Sequence, residues 1–446
     1  MPSVAGLVRP LALPVGARPV RALPVGAHTP PRLRECHDCG QLQVLPSLPP
    51  STRALCLRCD AVLRDTAHDP FGLPLALYAS AIMLLAIAAG MTLMTVSTAG
   101  QFHLASLFTG PVTLEERGLW FLGLLVMITT FVAPLARVAM MVTVLVGIRL
   151  PDPPRGLRVV FAWDERLRPW AMIEVYLLGV FVAFVRLSTM AHIDIGPALY
   201  ALGALMLVMV AADYAIDRQS VWEALEGARR NRRRRVRAAA AQAAAPAMNA
   251  ATQTRIGCHT CGLVSRAQDG AVCPRCGFTL HARKRDSIAW TWALSLAALI
   301  LYVPANVYPV LTVIRLGAGQ PSTILGGARE LLDLGQWPLA LLVFVASVAV
   351  PVLKLTGLAL LLISTQRRWR GRLRDRTTVY RIVDAIGRWS MIDIFMLSIL
   401  VALVQFGAVA TVRPGFGAVA FALVVILTML AARSFDPRLM WDAAEA

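Results

Sequence analysis

The chain has 446 residues, 57% of them hydrophobic and only 16% charged, and a mean hydropathy of +0.62, which excludes an ordinary water-soluble globule. Its length therefore counts helices in a bilayer rather than soluble domains. A net charge of +18 invites a nucleic-acid reading, but that total means something only once the basic residues are located.

The chain opens on a Pro-, Gly- and Arg-rich tail with two copies of "ALPVGA". Residues 1–31 lack the charged, apolar and small-residue order of a signal peptide and read as a disordered cytoplasmic tail. At 32–68 two C-x-x-C pairs follow, Cys36 with Cys39 and Cys56 with Cys59, separated by sixteen residues. Four apolar runs of membrane-crossing length come next, at about 71–97, 118–148, 170–190 and 195–215, inside a module spanning 69–222. A basic and Ala-rich linker, 223–254, contains "RRNRRRRVR". Residues 255–283 then carry two more pairs, Cys258 with Cys261 and Cys273 with Cys276, eleven residues apart. A second module, 284–441, holds four further runs near 287–314, 335–365, 389–410 and 414–432. The expected fold is an all-α polytopic membrane protein: eight transmembrane helices in a tandem repeat of a four-helix module, each copy preceded by a small cytoplasmic zinc ribbon.

The repeat is visible residue by residue. "GLWFLGLLVMITTFVAPLARV" lies over "GQWPLALLVFVASVAVPVLKL", setting Pro134 over Pro351 and Arg137 over Lys354. "RPWAMIEVYLLGVFVAFV" lies over "GRWSMIDIFMLSILVALV", pairing Trp170 with Trp389 and Glu174 with Asp393, and further on Asp217 and Trp222 fall over Asp436 and Trp441. An even number of spans per copy makes both modules face the same way. Lys and Arg crowd residues 1–70, 149–169, 216–286 and 366–388, whereas the opposite side carries only Arg117, Arg315, Arg329 and Arg413. The positive-inside rule places both termini, the cysteine segments and the basic loops in the cytoplasm. The basic run then reads as a topology determinant that meets anionic lipid, with no nucleic acid as partner, because no stacking aromatics or reading helix accompany it.

All eight cysteines fall in these four pairs. Two residues between thiolates turn both sulfurs toward one ion, and a second turn completes a tetrahedral shell with bonds of about 2.3 Å. Glycine after the pair, as in "CHDCG", "CHTCG" and "CPRCG", relieves the turn. Two structural Zn²⁺ sites are expected, with iron as the rival metal. A reducing cytoplasm disfavours disulfides. A redox enzyme needs one reactive pair rather than two complete tetrahedral sets. His37, His259 and His281 are expected to face solvent.

Charge at membrane depth points to function. Arg137 and Lys354 stand mid-span, three residues after a proline, and Glu174 and Asp393 stand four residues into the third spans. Two readings stay open: ion pairs between the second and third spans of each module, or a polar path for a headgroup or a proton. The path would comprise Lys354, Asp393, Ser390 and Asn306, with Arg137 and Glu174 in the first copy. The second copy is the richer, with "YVPANVYPV" around Asn306 and Ser390 one turn before Asp393. Arg186 stands where the second copy has Gln405 and is read as snorkelling or lining the same cavity. Residues 106–118 and 323–335 read as amphipathic helices on the non-cytoplasmic surface, suited to anchoring or to a partner.

These features together resemble the paraquat-inducible protein A family: the duplicated module, the cysteine ribbon before each bundle, "PANVYP", and the "WAMIEVY" and "WSMIDIF" entries to the third spans. The first module departs from the pattern by lacking the Pro and Asn of "PANVYP". The resemblance implies a bacterial inner-membrane protein, not an enzyme, that loads phospholipid into, or takes it from, a periplasm-spanning mammalian-cell-entry (MCE) domain protein. The alternatives are a membrane redox protein and a non-transporting anchor for the MCE partner. No G-x-x-x-x-G-K-[ST] occurs in the chain, so this protein carries no such nucleotide site.

Overall fold

The computed structural model describes residues 32–445 apart from 47, 99–100, 155, 189–191, 228–253, 316–317, 334 and 404–409. The N-terminal tail, the basic run at 229–237 and the side chain of Arg186 lie outside the described residues.

Among the described residues, eight helical segments are long and apolar enough to cross a bilayer, so the protein is a multi-pass membrane protein. In the first module they are Gly72–Gly90, Trp120–Arg149, Leu157–Val185 and Pro197–Ala215. In the second they are Ser287–Val307, Trp337–Gln366, Leu373–Leu403 and Phe416–Ser434. Each third segment is compound. An amphipathic helix, Leu157–Leu167 or Leu373–Ile386, leads through a short 3-10 turn into the apolar helix beginning at Ile173 or Ile392. These stretches, basic loops by sequence, are helical because their apolar residues recur at helical spacing on one face. Both helices meet the ribbons, as Arg381 meets Asp38 and Trp163 meets Phe278.

First and fourth spans pack side by side within each module, and the third span of one module crosses the third span of the other. At that crossing Gly179 meets Phe395, where a Cβ on the glycine would stand 2.9 Å from the phenylalanine Cβ. Small residues let membrane helices approach because lipid offers no competing hydrophobic drive. Tyr176 adds an edge contact to Phe395, with ring centroids 5.6 Å apart. The modules therefore share one apolar core.

Two features are absent from the sequence reading. On the face opposite the ribbons each module carries a three-stranded antiparallel sheet, Gln101–Ala105, Met94–Thr98 and His192–Ile195 in one and Ala318–Ser322, Leu311–Arg315 and Ala410–Pro414 in the other. The middle strand pairs Val96 with both His103 and Ile193, tying the loop after the first span to the loop after the third. The amphipathic helices follow these sheets at Thr109–Glu116 and Ile324–Asp333. The first is not free: it packs on the third span of the second module, with Gly110 against Ser398.

The second feature is a π-helical turn in each second span, Ile128–Val132 and Val345–Ala349, just before Pro134 and Pro351. A π turn bonds residue i to i+5, and a proline at that position has no N–H to give. The Thr129 carbonyl accordingly accepts from Met172 N at 3.4 Å, at the entry to the third span.

Candidate functional site

Each ribbon is a pair of knuckles. Ribbon 1 consists of hairpins Arg32–Glu35 with Leu42–Leu45 and Arg53–Leu55 with Val62–Asp65. Ribbon 2 has Thr254–Gly257 with Val264–Ala267 and a bridge between Val272 and Thr279. The residue after each C-x-x-C has positive φ: Gly40, Gly262 and Gly277, and at the fourth knuckle Asp60 at 59°. Its amide closes the turn onto the first cysteine's carbonyl, as in Gly40 N to Cys36 O at 2.9 Å. Glycine adopts this conformation freely and Asp tolerates it.

The four cysteines of each set are buried and unbridged, and their sulfurs lie within 4.8 Å of one another. Closest pairs are 3.5 Å for Cys36 with Cys59 and for Cys258 with Cys276. A tetrahedral ion with bonds of about 2.3 Å needs sulfurs about 3.8 Å apart, so both sets fit a metal. His37 is exposed, and His259 meets Arg438 at 2.7 Å rather than a cysteine set. His281 is 31% exposed beside Asp269.

The ribbons do not sit each on its own module. The ribbon 1 cysteines pack with Leu361, Leu362, Phe435, Met440 and Trp441 of module 2. Ribbon 2 reaches module 1, with Phe278 against Trp163 and under Arg166, and Arg275 paired with Glu226 at 3.0 Å. Below the ribbons, Arg64 binds Asp217 and Glu223, while Arg283 binds Asp442, which the repeat sets over Glu223. Burial raises the Asp436 carboxyl, but the hydrogen bonds and charge of Arg438 outweigh this and hold it below its usual range. Burial, with Arg275 and Arg64 close by, pulls Arg34 below its ordinary value.

Within the membrane the two copies diverge. Arg137, 3% exposed, is held by Asp164 at 3.3 Å and Asp213 at 2.8 Å, not by Glu174. Arg218 binds Glu165 at 2.6 Å and Asp164 at 3.3 Å, Arg168 lies 3.6 Å from Asp213, and the Tyr78 hydroxyl donates to Asp213 at 3.0 Å. Three guanidiniums thus meet three carboxylates. Glu174 is half-buried in the first turn of its helix and takes no part.

In the second copy Lys354 is 1% exposed, and its Nζ donates to Thr428 Oγ1 at 2.7 Å. Of the two readings left open by the sequence, the ion pair with Asp393 is not the one found among the described residues. The repeat places Val383 where module 1 has Asp164, Ala432 where it has Asp213, and Gly387 where it has Arg168. Val383 and Ala432 join one small apolar cluster. Asp384, over Glu165, is near enough for its charge to act on Lys354 but makes no ion pair with it. Asp393 Oδ2 instead accepts from Ser347, on the π turn. Asp393 Oδ1 and the hydroxyls of Ser390 and Ser398 are buried without partners among the described residues. Ser390 belongs to the Gly387–Met391 turn, whose Gly387 lies beside the Lys354 ammonium. Lys354 with Thr428, beside Gly387 at the start of the Gly387–Met391 turn, and Asp393 with Ser347, just after that turn, are therefore two separate polar pairs with Ser390 between them in the chain; Ser347 and Thr428 are members the sequence reading missed. Asn306 stands apart, near the sheet-side end of the first span, where its amide caps the Tyr302 carbonyl at 2.8 Å.

Buried polar groups are normally satisfied, and unmet ones carry a free-energy penalty. Among the described residues this part of module 2 has a cation without a carboxylate partner and two buried polar atoms, Asp393 Oδ1 and the Ser390 hydroxyl, with free hydrogen-bonding capacity. These groups can still gain or lose protons and make further hydrogen bonds, whereas their counterparts in module 1 are neutralised group for group and hold their helices together.

Comparison with known proteins follows the same division. A family model described as Paraquat-inducible protein A matches residues 73–226 and 288–445. The chain is 31% identical over 412 residues to the intermembrane transport protein PqiA of Escherichia coli K12, covering 91% of this chain and 95% of that one. It is also 31% identical over 415 residues to the lipophilic envelope-spanning tunnel protein A of the same organism, covering 93% and 92%. A probable intermembrane transport protein of Haemophilus influenzae is 24% identical over 419 residues, covering 93% and 97%. No solved structure matches.

Proposed function

The chain belongs to the paraquat-inducible protein A family, and from that premise we propose that it is an inner-membrane component of an intermembrane lipid transport system, passing phospholipid to or from a periplasm-spanning MCE-domain partner. The relatives' names support intermembrane transport, and the distribution of Lys and Arg supports ribbons and termini in the cytoplasm. In this reading the sheets and the Ile324–Asp333 helix face the periplasm and the partner.

One observation carries the assignment of the working module. Lys354 is buried with a hydroxyl as its hydrogen-bond partner, where Arg137 in the other copy is enclosed by carboxylates. Module 2 then moves a proton or steers a headgroup through Lys354, Ser390 and Asp393, helped by Ser347 and Thr428, while module 1 is the scaffold. Asp393→Asn is expected to slow phospholipid transfer from proteoliposomes to the purified MCE-domain partner by about a hundredfold, the lower scale for losing an acid–base group. Transfer at the parental rate, with normal folding, would reject the polar path.

The ribbons are structural Zn²⁺ sites in this reading. Four soft thiolates in a closed shell select zinc and leave no coordination position for catalysis. Elemental analysis of the purified protein should find two zinc ions per chain, and Cys276→Ser should remove one of them. Iron in place of zinc would correct the metal, and reversible oxidation of the thiols without bound metal would instead support the redox alternative.

A further inference from the structure

A divalent ion held by four thiolates leaves the site with two net negative charges, whereas free cysteines near neutral pH are mostly uncharged thiols. Loading a ribbon with metal therefore changes its charge in a half-dry setting, and a cation must stand nearby to offset it.

Ribbon 2 carries one arginine of its own, Arg275, which donates to the Cys261 carbonyl at 3.3 Å but is taken up by Glu226 at 3.0 Å, and at both sites a further cation comes from another domain. Arg381, on the Leu373–Ile386 helix of module 2, donates to the Cys59 carbonyl at 2.9 Å, lies 3.8 Å from Cys59 Sγ and also grips Asp38 at 2.7 Å. Arg34 of ribbon 1 reaches ribbon 2 beside Cys261, donating to the Gly262 carbonyl at 3.3 Å and to Gln219 at 2.5 Å, both neutral acceptors. Backbone contact reinforces the second junction, where Gly257 N donates to Glu35 at 2.7 Å.

A cleft of about 540 Å³ between the ribbons, lined by Arg34, Arg168, Arg218 and Arg438, suggests an anion site as the rival reading. The other three arginines are already paired, Arg168 with Asp213, Arg218 with Glu165 and Arg438 with Glu35 and Asp436. Metal loading would add negative charge to the same walls. The arrangement is better matched to the metal sites than to a ligand anion.

We propose that metal loading latches the two modules together at the ribbon face: the charged site of ribbon 1 holds Arg381 of module 2, and that of ribbon 2 holds Arg34 of ribbon 1. The latch rests on the metal reading above and adds to it. Ribbon 1 precedes module 1 in the chain but packs its cysteines on module 2, so undocking it parts elements whose covalent connection runs through the whole of module 1.

Hydrogen exchange on the full chain in nanodiscs, before and after treatment with a chelator, tests this. Removing metal should speed exchange in 373–386 and 436–445, which belong to module 2 and hold no metal ligand. Arg381→Gln and Arg34→Gln should each lose metal about tenfold faster to a chelator, the effect expected for a group that orients a ligand. Arg381→Lys should recover part of that loss by keeping the charge. Unchanged exchange in 373–386 and 436–445 while the ribbon amides speed up, or metal release from Arg381→Gln at the parental rate, would overturn the latch. Protein purified without metal would overturn the metal reading itself, and the latch with it.

Discussion

Lys354→Met is expected to fold at least as stably as the parent chain and to lose phospholipid transfer. Lys354 is 1% exposed and makes its hydrogen bond to Thr428, whose own hydroxyl donates to the Val425 carbonyl at 2.9 Å. Methionine nearly matches the lysine stem in volume and carries no charge. Replacing a buried ionic group with an apolar one of similar size is often neutral or stabilising by about 1–4 kcal/mol. Thr428 keeps its backbone bond, so little is left unmet. If the ammonium serves packing, the melting temperature of the variant in detergent should fall and transfer should persist in whatever remains folded. If it serves transport, the melting temperature should hold or rise while transfer falls by about a hundredfold. The two outcomes move in opposite directions, so one pair of measurements separates them.

At the matching position of module 1 the same substitution should do the reverse. Arg137→Met leaves Asp164, fully buried, with Arg218 alone at 3.3 Å, and takes from Asp213 its shortest ionic contact. Removing one partner of a buried pair costs about 3–5 kcal/mol because the other charge stays behind, desolvated. A drop in melting temperature, or loss of folded protein from the membrane, is the expected result. Removing the stranded charges along with the cation should restore much of the loss, so Arg137→Met combined with Asp164→Val and Asp213→Ala, the residues module 2 carries there, should be more stable than Arg137→Met alone. If the triple variant is no better, the three groups do not form one network. Phospholipid transfer by stable variants of this set should stay near the parental rate if module 1 is scaffold.

The sequence reading located both intramembrane cations and the wrong partners for them. Glu174 and Asp393 were the nearest acids by pattern, standing four residues into the following span. The acids that hold Arg137 stand on the surface helix, Asp164, and near the end of the fourth span, Asp213, 27 and 76 residues along the chain. Hydropathy tells how deep a residue sits along its helix, but not which neighbour its side chain faces; that depends on helix rotation and crossing, set by contacts such as Gly179 on Phe395. The sheets were missed for a related reason. Strands of four or five residues that pair across nearly a hundred residues, as Val96 does with Ile193, leave no local period long enough to register.

Part of this architecture is already written in short, local chemistry along the chain. Runs of apolar residues dictate eight crossings because a backbone in lipid must satisfy its own hydrogen bonds. Four C-x-x-C pairs dictate two tetrahedral sulfur sets, because each knuckle is built within a few residues. The tertiary structure alone decided which ribbon rests on which module, that Arg137 is neutralised while Lys354 is not, and that Ser347 and Thr428 belong beside the titratable groups. These depend on the rotation and docking of elements far apart in the chain, where the free energy is shared among many weak contacts and no single motif records the outcome.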